Sequence, residues 1–327
     1  MRADPGAREE ARLIALDWGT TSLRAYLLGD GGRMLERRAE PLGILNVPDR
    51  DFAGVLAAIT GQWRREHPEL PAIASGMIGS AQGWIEAPYV GVPADLPAVA
   101  RGIAMVPGGS LGVVPGVAQR GASPDVMRGE ETQIFGALAE RPELARLATL
   151  VMPGTHSKWV RVAEGGIARF TTYMTGELFA VLRGHSILGR LATADSLPSG
   201  EAAAAFGRGV RHAAGASEGL AALLFSARSG VLVGDLPAAD SLEYLSGLLI
   251  GDEVRAGLAG GERPDAIIGE PSLCARYAAA LAELGVRDVA VLGDAAPAGL
   301  WSIASLAIPA LQRGEGSSRR PVSGRAN

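Results

Sequence analysis

Two short stretches of the sequence gather the residue types that hold phosphate: Asp17-Trp18-Gly19-Thr20-Thr21-Ser22 and Gly154-Thr155-His156-Ser157-Lys158. A phosphate group needs converging backbone N–H groups, a small residue that lets the backbone approach, and a hydroxyl or cation beside it. Gly19, Thr20, Thr21 and Ser22 meet these needs in the first stretch, and Gly154, Thr155 and Ser157 in the second. Asp17 adds a carboxylate at the mouth of the first. It is suited to hold Mg²⁺ through water, because that ion takes few protein ligands besides phosphate oxygens. The second stretch has no acid but carries His156 and Lys158, which are donors. Lys158 is the single lysine among 31 Lys and Arg residues, so an ammonium is kept at one place in a chain that otherwise uses guanidinium. A third stretch, Arg128-Gly129-Glu130-Glu131, offers two carboxylates able to take a proton from a hydroxyl acceptor and an arginine able to clamp an anion. Taken alone, Glu130 and Glu131 read more readily as first-turn acids favoured by a helix dipole than as a catalytic pair.

The elements around these stretches repeat. Leu13-Ile14-Ala15-Leu16 and Leu23 to Leu28 flank the first as apolar strand candidates, closed by Gly29-Asp30-Gly31-Gly32. Thr149 to Met152 and Lys158 to Val162 flank the second, closed by Glu164-Gly165-Gly166. The chain therefore reads as duplicated, with two α/β domains in tandem, each opening on a glycine-turn hairpin. Helices are predicted near Glu130–Ala139, Gly176–Leu182, Glu218–Ala227, Ser241–Val254 and Ser272–Leu284, and strands at 72–74, 111–114, 266–269 and 289–292. The domains are expected at residues 13–142 and 147–313, with disordered ends at 1–12 and 314–327.

Composition narrows the function classes. The formal charge of −4 gives no general electrostatic basis for holding nucleic acid. The longest uncharged stretch, Gly102 to Gln119, is broken by glycine and by Pro107 and Pro115, which excludes a membrane span there. The start lacks the apolar core of a secretory signal, and the single cysteine, Cys274, has no partner within the chain for a disulfide, so a cytoplasmic location is expected. Neither a Gly-Lys-Ser/Thr phosphate loop nor a G-x-G-x-x-G fingerprint occurs.

The first hairpin resembles the first phosphate loop of the actin-like ATPase superfamily, which includes sugar kinases. Six segments together are similar to the 2-dehydro-3-deoxygalactonokinase family: Gly76 to Ser80, Gly83-Trp84 to Tyr89, Met127 to Gln133, Met152 to Val160, Met174 to Leu178, and Leu245 to Gly251. They occur in order across nearly the whole chain. The resemblance implies two tandem ribonuclease-H-like domains with an interdomain cleft, and ATP-dependent phosphorylation of 2-dehydro-3-deoxy-D-galactonate to its 6-phosphate with Mg²⁺ as cofactor. Gly154 to Lys158 would be the second phosphate loop, and Ile268 to Leu273, with Gly269 and Ser272, the adenosine-binding turn. Related sugar kinases carry Gly-Asp-Gln where this chain has Gly129-Glu130-Glu131, which makes Glu130 the base and Glu131 its reserve. A sugar acid needs a cation for its carboxylate, for which Arg128 and Arg24 are candidates, and Met77, Trp84 and Tyr89 are candidates to line the acceptor pocket. The partner is thus a small sugar acid, with room for a homodimer. The alternatives are a kinase of another sugar or sugar acid, and a nucleotide-gated binding protein that is not a kinase.

Overall fold

A computed structural model describes residues 10–191 and 201–313, so the expectations for residues 1–9 and 314–327 lie outside the described residues. The strands of the first half are β1 (Ala11–Trp18), β2 (Leu23–Gly29), β3 (Met34–Glu40), β4 (Ala72–Ser75), β5 (Tyr89–Gly91), β6 (Ala94–Asp95), β7 (Ala104–Met105), β8 (Gly112–Val113), β9 (Gly116–Gln119) and β10 (Asp125–Met127). Strand β1 begins two residues before Leu13. Ala11 is buried and pairs with Gly29, which draws Ala11 and Arg12 out of the segment expected to be disordered.

The first sheet has the order β3-β2-β1-β4-β8-β7. Strands β1, β2 and β3 form an antiparallel meander, and β4 and β8 continue from β1 in parallel. Leu13, Ile14, Ala15 and Leu16 are all buried, as expected of a central strand covered on both faces. The edge strand β3 is mostly exposed and carries Glu36, Arg37, Arg38 and Glu40, charges that discourage edge-to-edge pairing. The helix Phe52–Glu66 covers part of this core. Its N-cap Asp51 accepts from Gly54 N at 2.8 Å, and it buries Phe52, Leu56, Ile59 and Trp63 along one stripe. Strands β10, β9 and β5 form a separate small sheet.

In the second half, β11 (Leu147–Met152), β12 (Ser157–Ala163), β13 (Gly166–Tyr173), β14 (Ala266–Ile268) and β15 (Ala290–Leu292) form a sheet of order β15-β14-β11-β12-β13-β6. Leaving aside the edge strands β7 and β6, the two large sheets share one order, with the first strand of each half at the centre. The sequence duplication is thus a duplication of topology. Both sheets are mixed, within an α/β fold.

Contacts divide the chain into two units that are discontinuous in sequence. Val162–Arg169 and the chain from Asp294 onward group with the first unit, whereas sequence reading assigned them to a second domain at 147–313. Side-chain bonds from Asp294 to Tyr26 and Gln133 are one physical reason. The second unit comprises Ala148–Arg161 and Phe170–Gly293. Its central helix, Ser241–Leu258, is buried on most of its surface. It packs on the helix Ala202–Gly215 so closely that a β-carbon on Gly247 would strike the Phe206 carbonyl. That second helix escaped sequence reading because Gly207 and Gly209 lower helix propensity, and packing overrides it. The single helix predicted over Glu218–Ala227 is two short ones, Leu220–Leu224 and Ser226–Leu232.

Candidate active site

In the first unit the carboxylates gather where β1 ends. Register places Asp17 opposite Arg24 of β2, and Arg24 Nη1 lies 3.2 Å from Asp17 Oδ2. The same guanidinium nitrogen is 3.7 Å from Asp294 Oδ2, which also accepts from the Tyr26 hydroxyl at 3.0 Å. Asp294 Oδ1 accepts from Gln133 Nε2 at 3.0 Å and from Ala296 N at 3.1 Å. Burial pushes the Asp17 carboxyl up to about 6, against the pull of Arg24; the charges of Asp294 and Glu130 add to the rise. A site with more negative charge than one arginine offsets fits a hard divalent cation. Among the described residues no cluster of three or more His, Cys, Asp or Glu side chains could enclose a metal ion. Mg²⁺ needs none, since one or two carboxylates, water and phosphate oxygens suffice.

Two glycines bring the third stretch to this place. Gly76 follows β4 with φ +94°, and Gly129 precedes the helix Glu130–Glu140 with φ +111°, both in the region that disfavours side chains. A β-carbon on Gly129 would stand 3.3 Å from Gly76 Cα, and one on Gly76 would stand 2.8 Å from Trp18 O and 3.5 Å from Asp17 Oδ1. The two adjacent acids then part company. Glu131 is fully buried, and both its oxygens accept from Gly129 N, at 2.9 and 2.7 Å. Burial, with the charge of Glu130 second, pushes its carboxyl up to about 7. Glu130 is half-buried, takes Arg128 N at 3.0 Å, and lies near enough to Asp17 to disfavour that group's ionisation. The bend Gly19–Ser22 closes through Gly19 N to Ser22 O at 3.0 Å. Gly43 is pressed so closely against it that a β-carbon would overlap the backbone of Thr20, Thr21 and Ser22. Sequence reading did not find Gly43.

The bend of the second unit is built on a different acid. Ser157 Oγ and Trp159 Nε1, both on one face of β12, donate to Glu253 Oε1 at 2.6 and 2.9 Å. Tyr277 donates to Glu253 Oε2 at 2.6 Å, and the Thr175 hydroxyl donates to the same oxygen. Gly176 backs the bend as Gly43 backs the first, since a β-carbon there would meet Gly154 O and Thr155 Cα. A cavity of about 740 Å³ opens beside it, lined by Gly154, Thr155, Thr175, Gly176, Leu249, Ile250, Leu273 and Tyr277 among others, a size suited to a small-molecule ligand.

A family model described as 2-keto-3-deoxy-galactonokinase matches residues 17–303. The chain belongs to this family. It is 39% identical over 298 residues to 2-dehydro-3-deoxygalactonokinase of Escherichia coli strain K12, covering 90% of this chain and 98% of that protein. The crystal structure of a candidate 2-dehydro-3-deoxygalactonokinase from Sinorhizobium meliloti superposes with a TM-score of 0.81 at 37% identity, covering 89% of this chain and 98% of that one.

Within this kinase family frame, the sequence candidates fall into distinct places. Asp17, Gly19 and Glu130 belong to the acidic end of the first sheet, with Thr20, Thr21 and Ser22 exposed on its bend. Gly154 and Thr155 line the cavity of the second unit, and Ser157 lies beneath it on Glu253. His156 Nε2 contacts Glu177 Oε2 at 2.5 Å, with both side chains about half exposed. Lys158 is buried on the face of β12 opposite Ser157, and its Nζ donates to the His156 carbonyl at 3.3 Å. Arg24 is engaged with Asp17 and Asp294, so its charge is directed at the acids rather than standing open for a sugar acid. Arg128 stacks over Tyr89 at 4.3 Å and donates through Nη2 to Ala87 O at 2.8 Å, while its Nε and Nη1 are buried without a protein partner. Trp84 stacks on Phe52 at a centroid distance of 6.3 Å, and both it and Met77 pack against the hydrophobic core of the first unit. Gly269 and Ser272 are not among the residues lining the cavity. The helix that begins beside them enters it through Leu273 and Tyr277, while Ser272 bonds to the N-cap Glu270. Asp294, Glu253 and Gly43 went unseen because their partners are distant in sequence; Gly293-Asp294 read as no more than a strand end.

Proposed function

We propose that the protein transfers the γ-phosphoryl group of ATP to the terminal hydroxyl of 2-dehydro-3-deoxy-D-galactonate, giving ADP and the 6-phosphate, in galactonate or galactose catabolism in the cytoplasm. The observation that carries this reading is the family match over residues 17–303, which spans both glycine bends and the acid pair between them. The two units are read as a pair of actin-like domains, a reading supported by their common strand order.

In this mechanism Glu130 takes the proton of the attacking hydroxyl. The new O–P bond forms as the bond to the β-phosphate oxygen breaks, and ADP leaves with the electron pair. Glu130 suits the base role better than Glu131, because Glu131 is fully buried with both oxygens committed to Gly129 N. Asp17 would hold Mg²⁺ through water, and the ion would neutralise charge on the transferring phosphates. Thr20, Thr21 and Ser22 from one bend, and Gly154, Thr155, His156 and Ser157 from the other, grip the phosphates, with the charge of Lys158 behind the second bend. The cavity beside Leu273 and Tyr277 takes the nucleoside, with Gly269 and Ser272 shaping the turn that leads into it. Arg128 binds the sugar-acid carboxylate through the nitrogens that lack a protein partner, a second reason for an anionic acceptor.

ADP release measured over a panel of acceptors tests the proposal. Turnover with 2-dehydro-3-deoxy-D-galactonate far above that with the gluconate-derived epimer or neutral sugars is the expected result. ADP formation independent of any acceptor would refute it, and turnover confined to another sugar would move the substrate assignment.

A further inference from the structure

We propose that Glu253 is a positioning residue for the nucleotide half of the site, its carboxylate holding the second glycine bend and two walls of the adjacent cavity in one arrangement. This rests on the kinase reading and goes beyond it, since Glu253 belongs to none of the phosphate-holding stretches.

Three segments meet on this one side chain. Ser157 and Trp159 come from the strand that leaves the bend, Thr175 from the start of the helix Thr175–His185, and Tyr277 from the helix Pro271–Glu283. Thr175 and Tyr277 line the cavity together with Gly154, Thr155 and Gly176, whereas Glu253 itself is 2% exposed and stands behind them. It therefore acts on a ligand through its four partners. A carboxylate has acceptor sites for four donors, and here each oxygen takes two. An amide at this position has one oxygen only. The Trp159 N–H can do nothing but donate, so that oxygen must turn toward Ser157 and Trp159, which leaves Thr175 and Tyr277 facing N–H groups. Burial pushes the Glu253 carboxyl up while these donors pull it back, the balance expected of a charge tolerated indoors because it is fully bonded. Thr175 also sets the position of Gly176, whose backbone is tight against Gly154 and Thr155. A shift of Thr175 is thereby passed to the bend.

The test compares Glu253→Gln and Glu253→Leu with the wild-type enzyme. Hydrogen bonds to charged groups contribute about 1.5–3 kcal/mol, so loss of the positioning is expected to raise KM for ATP on the order of 10-fold or more in the leucine variant. ADP affinity measured by calorimetry should weaken in parallel, and KM for the sugar acid should stay near its wild-type value. A purely structural role would instead reduce the active fraction, lowering kcat with neither KM moved. If the leucine variant does not fold, the glutamine variant decides, because it keeps the volume and the Ser157 and Trp159 contacts; a severalfold rise in KM for ATP is then expected. A folded variant whose KM for ATP and ADP affinity match the wild type would overturn the proposal. Failure of the kinase reading looks different: the wild-type protein would bind ADP yet release none on adding any acceptor.

Discussion

The two glycine bends stand at the same point of two sheets with the same strand order, yet they solve the problem of charge in opposite ways. In the first unit the acid is carried by the strand itself, at Asp17, with 23% of its side chain exposed and a guanidinium opposite. In the second the acid comes from a helix 96 residues beyond Ser157, lies fully inside, and is met by neutral donors. A partly exposed carboxylate, raised to about 6 by burial first and by neighbouring acids second, is poised to respond to an incoming cation or phosphate. A buried one with every acceptor site filled has nothing left to offer a ligand and instead fixes the parts around it. The duplication thus preserved a strand order and differentiated the acids, one partly exposed and facing an arginine, the other buried among neutral donors.

That contrast implies that substitutions in the first unit act on turnover. Glu130→Gln should lower kcat by roughly 10²–10⁴ with ADP affinity retained, measured by steady-state ADP release and calorimetry. An unaltered kcat would remove Glu130 from the base role. A smaller effect separates what the two bends share from what they do not. Gly43→Ala and Gly176→Ala each place a β-carbon on the backbone of a bend, and each should destabilise the protein by about 1–3 kcal/mol in urea unfolding. Unequal losses would show that the bends are not equally rigid. The smallest effect concerns Asp17. Its folded carboxyl sits near 6, above the ~3.9 of an exposed aspartate, so the stability this group contributes is present in acid and lost as pH rises through about 6. Asparagine does not titrate. In metal-free protein the melting temperature of Asp17→Asn relative to wild type should therefore rise by roughly 2–4 °C from pH 4 to pH 7. A flat difference would mean that Asp17 is more open to water than its surroundings suggest.

Much of this arrangement was legible in the sequence because it is local. Four apolar residues before a Gly-Thr-Thr-Ser turn can scarcely be anything but a buried strand and a bend, and Gly129 before two acids marks a helix start. The roles of long side chains were less legible. Arg24 and Arg128 look alike as candidate anion clamps, but a cross-strand partner turned Arg24 onto Asp17, while Arg128 kept two nitrogens without a protein partner. Trp84 and Met77 suit a pocket wall and a core equally by composition, and only the structure shows that both pack against the core of the first unit, where the Trp84 ring stacked on Phe52 removes apolar area from water.

The sequence by itself determined the duplicated strand–bend–strand units, the polar residues at each bend and the order in which the acids follow, all features written within a few consecutive residues. Only the tertiary structure decided which acid is buried, which arginine is spent on an ion pair, and which glycines must remain glycines. Those outcomes depend on desolvation and close packing, and both are set by atoms from segments tens to hundreds of residues away, such as Glu253 beneath Ser157 and Asp294 against Tyr26.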